Sequence, residues 1–205
     1  MRAVARPLLP PLGIGAAVAA ALLARLLVAG AGGASSSLPA AAAFAALLLC
    51  VGALAPRHRR LAPDAPARTR RASAMRAVAL GAGGGAVLVV MAAALRGSPA
   101  HVWPRPSGAQ VLPWTALVVC VAAAEELVFR GVLFDAVSRL SGATVAALVC
   151  ALAFALVHVP LYGWGVVPLD AGVGMWLGGL RLLSGGVAAP ALAHALGDCG
   201  AWLLL

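Results

Sequence analysis

Long apolar runs, broken by short stretches of Gly, Pro, Ser and Arg, make up most of this chain. A helix needs about 20 consecutive apolar residues to cross a bilayer. Seven runs approach that length, at about 8–30, 38–55, 77–95, 111–137, 143–160, 166–183 and 187–205. They predict an all-α fold, a polytopic transmembrane helical bundle of about seven spans. The stretch Gly97 to Gln110 is rich in Pro and Gly and reads as a loop. It separates residues 1–110, a set of N-terminal helices with a basic loop, from residues 111–205, which carry the polar chemistry. The first run follows Arg2 and Arg6 and contains Arg25. Its apolar stretch is long for a signal peptide, so a retained helix is expected. The pairs Gly81/Gly85 and Gly174/Gly178 have the small-xxx-small spacing of closely packed membrane helices.

Composition supports the membrane reading. Hydrophobic residues are 63% of the chain and charged residues 10%. A soluble domain carries about 25% charged residues, so a water-facing surface cannot be built here. The net charge is +9, but its arrangement argues against nucleic acid as a partner. Seven arginines fall between Arg57 and Arg76, in a break between apolar runs, as the positive-inside rule places them in a cytoplasmic loop. With a cytoplasmic N-terminus, Arg2, Arg6, Arg139 and Arg181 also lie inside, and Arg96 and Arg105 outside. The expected location is the cell membrane, multi-pass, with lipid as the surrounding partner. Cys50, Cys120, Cys150 and Cys199 stand alone in apolar runs and read as small buried hydrophobes.

Against this background, Glu125, Glu126 and Arg130 fall in the middle of the fourth run. Ionisable groups at membrane depth are costly and face a protein interior or a cavity. On a helix, Glu126 and Arg130 share a face and can pair. Glu125 points about 100° away, which leaves its carboxylate free for proton transfer. Two further clusters follow: Phe154 and His158, one turn apart in the fifth run, and His194 and Asp198, one turn apart in the last. Glu125 precedes the break near Ser138 to Gly142 by about fifteen residues and His158 follows it by about eighteen. At about 1.5 Å per residue both lie roughly 22–27 Å from that turn, at similar depth. A Glu, two His and an Asp converging in a dry bundle can activate water. Taken singly, each histidine is a packed core residue and the Glu–Arg pair is glue between helices; the matched depth favours function. Asp135, Asp170, Arg139 and Arg181 read as interfacial charges, and His58 and His101 as loop residues.

The strings EELVFRGVLF, FALVH and HALGD, in that order on successive membrane helices, resemble the CPBP (Abi) family of intramembrane proteases. This group holds CAAX prenyl endopeptidases and bacteriocin-processing or self-immunity proteins. The resemblance runs from about Pro113 to the C-terminus. It implies endopeptidase activity near the C-terminus or membrane anchor of a protein or peptide that enters from the bilayer. By position it implies that Glu125, assisted by His158, activates water. It gives His194 and Asp198 to the oxyanion or the site geometry, and Glu126 and Arg130 to shaping the site. The cofactor is left open between none and a zinc ion held by the Glu, His and Asp donors. Asp198 stands where the family pattern has Asn or Asp, and an ionised Asp would repel an oxyanion. A non-catalytic scaffold or self-immunity protein with the same fold is the alternative. A transporter is disfavoured because no internal repeat is visible.

Overall fold

In the computed structural model, residues 9–30, 33, 37–54, 67–95 and 108–204 are described. Arg2, Arg6, His58, Arg96, His101 and Arg105 lie outside them. Every regular element among the described residues is helical. They are α1 (Leu9–Ala29), α2 (Leu38–Leu54), α3 (Ala67–Ala94), α4 (Val111–Glu126), α5 (Phe134–Ser141), α6 (Ala143–Tyr162), α7 (Val167–Ser184) and α8 (Ala188–Leu204). Pro11–Ala29, Arg68–Ala94, Ala143–Tyr162 and Trp164–Ser184 are long and apolar enough to cross a membrane, and α2 is a shorter apolar helix.

Two elements differ from the sequence expectation. Helix α3 begins ten residues before the apolar run, so Arg68, Arg70, Arg71 and Arg76 are helical rather than in a loop. The segment ARTRRASAMR is rich in Ala and Arg, which are strong helix formers, and so continues the helix beyond the apolar stretch. The fourth span is one helical path from α4 to α5, but Leu127–Leu133 between them winds as a π-helix. Such wide turns are rare and cluster at functional sites.

The helices end where the backbone demands glycine. Gly142 (φ 85°), Gly163 (φ 83°) and Gly185 (φ 74°) stop α5, α6 and α7 in conformations that a side chain disfavours. Gly142 alone separates α5 from α6, which makes the two antiparallel neighbours.

Packing follows membrane rules. On α6, Leu148, Leu152 and Leu156 face outward, while Ala146, Ala147, Cys150 and Ala151 are buried. Lipid gives no hydrophobic drive between helices, so small residues turn inward and let backbones approach. A Cβ added at Gly174 would meet Ala151 Cα at 2.9 Å, so α6 and α7 touch backbone to backbone there. Gly81 and Gly85 leave room on α3 for the side chains of Leu192 and Leu196 of α8.

Candidate active site

The ion pair predicted within the fourth span is present and fully buried. Arg130 Nη1 donates to Glu126 Oε1 at 2.6 Å. The guanidinium also donates through Nη2 to the carbonyl of Gly174, at 3.0 Å, and lies 4.7 Å from the centroid of the Phe154 ring. The glycine that brings α7 close to α6 thus also presents the carbonyl that Arg130 needs. Among the described residues, Glu126 Oε2 and Arg130 Nε find no hydrogen-bond partner and are buried.

Arg181 is not interfacial. It is buried, and its Nε donates to the Arg130 carbonyl at 2.6 Å and its Nη2 to Asp135 at 2.9 Å. It ties α7 to the π-helical turn. Sequence position near a span end hid this, because the partners are 46 and 51 residues away.

Glu125 points elsewhere, as its 100° offset requires. Its Oε1 lies 4.0 Å from His158 Nε2, and its Oε2 lies 3.9 Å from His194 Nε2. These gaps are too long for direct hydrogen bonds and suit one intervening water. His158 Nδ1 is 2.8 Å from the Phe154 carbonyl, one turn back. That carbonyl can only accept, so Nδ1 carries the proton and Nε2 faces Glu125 with its lone pair. Phe154 also packs against both imidazoles, at centroid distances of 4.7 and 5.4 Å, and fixes their planes. Tyr162 stacks on the outer side of His158.

His194 joins the two glutamates. Its Nδ1 is 3.0 Å from Glu126 Oε1, while Nε2 faces Glu125 and lies 3.5 Å from Asp198 Oδ2. Glu126 therefore accepts from both Arg130 and His194, which fixes the orientation of that ring.

Two lining residues were not singled out by sequence reasoning. Asp170, read as interfacial, places Oδ2 3.6 Å from His158 Nδ1. Arg25, read only as an interruption of the first run, is buried and borders the same space. Both are lone charges near span ends, and only their depth inside an apolar run marks them.

These side chains surround a cavity of about 210 Å³. One water needs roughly 10–15 Å³, so the space admits a chain segment together with water. Its lining comes from the C-terminal halves of α1, α3, α6 and α8, the N-terminal parts of α2 and α7, and α4, the first half of the path from α4 to α5. The cavity therefore lies at one end of the bundle, away from Gly142, Gly185 and the basic start of α3. Among the described residues, no three His, Cys, Asp or Glu side chains are grouped as a metal-ligand set. Each histidine already commits Nδ1 to a protein oxygen. Each Nε2 still faces the cavity, so the donor types suit zinc, whose histidine ligands donate their other ring N–H to a protein oxygen.

A carboxylate and two imidazoles thus face one water-sized gap inside a helical bundle. Residues 107–200 match the family described as Type II CAAX prenyl endopeptidase Rce1-like, which is part of the CPBP/CAAX protease family. The match covers just under half of the chain and leaves α1 to α3 outside it. No curated protein and no solved structure matches the chain. The protein is a multi-pass membrane protein whose residues 107–200 are similar to this protease family.

Proposed function

We propose that this protein is an intramembrane endopeptidase in which Glu125 and His158 activate water for peptide-bond hydrolysis. The observation that carries the reading is the 4.0 Å gap between Glu125 Oε1 and the Nε2 lone pair of His158. A water held there donates one hydrogen to each acceptor and keeps a lone pair for attack. As its oxygen bonds to the scissile carbonyl carbon, Glu125 takes one proton. The C–N bond then breaks and that proton passes to the leaving amine. One water is consumed, and an acid and an amine result.

His194 presents the other polar edge of the cavity. With Nδ1–H donated to Glu126, a proton on Nε2 gives the oxyanion a fixed donor in a dry site. Asp198, 3.5 Å from that nitrogen, positions it. Asp170 does the same for His158. Glu126 and Arg130 hold the rings and helices in register. The substrate is a protein whose scissile bond lies near its C-terminus or membrane anchor, reached from the bilayer.

Orientation adds a second element to the proposal. Arg68, Arg70, Arg71 and Arg76 crowd the bundle end opposite the cavity, with Arg139 and Arg181 towards the same end. The positive-inside rule puts that end in the cytoplasm. The cavity then opens towards the extracytoplasmic face, which suits removal of a C-terminal sorting segment from an exported protein.

The test is to compare membrane-protein C-termini in cells carrying wild type, Glu125→Ala or His158→Ala. Processed termini should vanish in both variants. Processing that persists in both defeats the enzyme reading and favours a scaffold or self-immunity protein.

A further inference from the structure

The π-helical turn Leu127–Leu133 ends at Phe134, whose N–H departs from the α-helical pattern. In an α-helix that N–H bonds to the carbonyl four residues back, which is Arg130. Here it bonds to the carbonyls of Phe129 and Gly131 instead. A backbone carbonyl at membrane depth needs a donor from the protein, because lipid has none. Arg181 of α7 brings one: its Nε donates to the Arg130 carbonyl at 2.6 Å. The same guanidinium donates through Nη2 to Asp135 Oδ1 at 2.9 Å and lies 4.6 Å from the centroid of the Phe134 ring. One buried side chain thus meets the backbone of the turn and both residues that follow it.

The turn also carries the pairing of the site. Arg130 and His194 both meet Glu126 Oε1, at 2.6 and 3.0 Å, and that leaves His194 Nε2 3.9 Å from Glu125 Oε2. A π-turn takes in about one residue more than an α-turn. Its relaxation to α-helix would rotate Glu125 and Glu126 by about 100° against α5. Arg181 is not among the described residues that line the cavity, so it reaches a bound chain only through the turn.

We infer that Arg181 is a positioning residue: by holding the Arg130 carbonyl it keeps the π-turn wound, and so keeps His194 aimed at Glu125. For its effect on cleavage the inference rests on the peptidase reading of that site.

The test compares wild type, Asp135→Asn, and Arg181→Met combined with Asp135→Asn. Both variants alter Asp135, and only the second also lacks the Arg181 donor. Two readouts are taken. One is the ring ¹⁵N signals of His194 in histidine-labelled full chain in nanodiscs, assigned by their loss in His194→Gln. The other is the rate at which membrane-protein C-termini are processed in cells. Asp135→Asn keeps Nε on the carbonyl, so His194 signals and processing should match wild type. It should melt at a lower temperature, because buried Arg181 loses its charged partner. The double variant, with both charges gone, should melt no lower than Asp135→Asn. It should nevertheless shift the His194 signals and process about tenfold more slowly, the rate equivalent of one hydrogen bond from a charged group. Arg181→Lys keeps a cation beside Asp135 without a donor at the Nε position. It serves if the double variant does not fold, and it should show the same two losses. His194 signals that stay as in wild type when Arg181 is replaced overturn the inference. So does processing that falls equally in Asp135→Asn, which would make the ion pair a structural tie alone. Shifted His194 signals in a protein whose wild type processes nothing count against the peptidase reading alone. Wild-type processing that persists at full rate without Arg181 counts against the Arg181 role alone.

Discussion

Glu126 and Arg130 are neighbours by helical arithmetic, and their pairing was legible from four-residue spacing alone. What spacing could not show is how many other groups depend on them. Glu126 also receives His194, and Arg130 also holds Gly174 on another helix. Removing one partner of a buried pair leaves an uncompensated charge, at a cost of about 3–5 kcal/mol. Arg130→Ala should therefore unfold at a clearly lower temperature than wild type in detergent, read by circular dichroism. Glu125→Gln, which removes a charge but keeps the shape, should melt close to wild type. A matching loss in both variants would mean that Glu125 is structural as well. Glu125, His158, His194 and Asp198 could be picked out because each lies in a motif with a partner one turn or one residue away. Arg25, Asp170 and Arg181 could not, because their roles come from helices packed far away in sequence.

At the scale of elements, the apolar runs marked the helices well because membrane spans must satisfy their backbone internally. Their ends were less legible. Charge does not stop a helix, so α3 runs on through its arginines, whereas Gly142, Gly163 and Gly185 do stop helices. The π-helical turn at Leu127–Leu133 left no trace in hydropathy. It lies between Glu126 and Asp135, so the backbone that carries Arg130 is set by its geometry. Gly174 was visible only as one of many small-residue pairs; its importance rests on Ala151, which stands too close for any side chain. Gly174→Val should force α6 and α7 apart and break the Arg130 contact. Overpacking of this kind costs about 1–3 kcal/mol, measurable as a lower melting temperature and a loss of processing together. Gly179, with open space around it, is the control and should tolerate Ala.

For the whole molecule, the arrangement separates charge from chemistry. The arginines at the start of α3, with Arg139 and Arg181, sit at one end of the bundle and the cavity at the other, so the direction of α8 tells which compartment the cavity faces. Alkaline phosphatase fused after Leu205 should be active, and a green fluorescent protein fused there dark, if the cavity opens outside the cytoplasm. The reverse pattern would turn the site towards the cytosol. The class of chemistry depends less on orientation than on one oxygen atom. If Glu125 delivers water to the scissile carbonyl, cleavage of a substrate by purified protein in H₂¹⁸O must place ¹⁸O in the new C-terminal carboxylate. The account predicts that label with wild type and no cleavage with Glu125→Gln. Cleavage by Glu125→Gln at the wild-type rate, or an unlabelled new terminus with wild type, would contradict it.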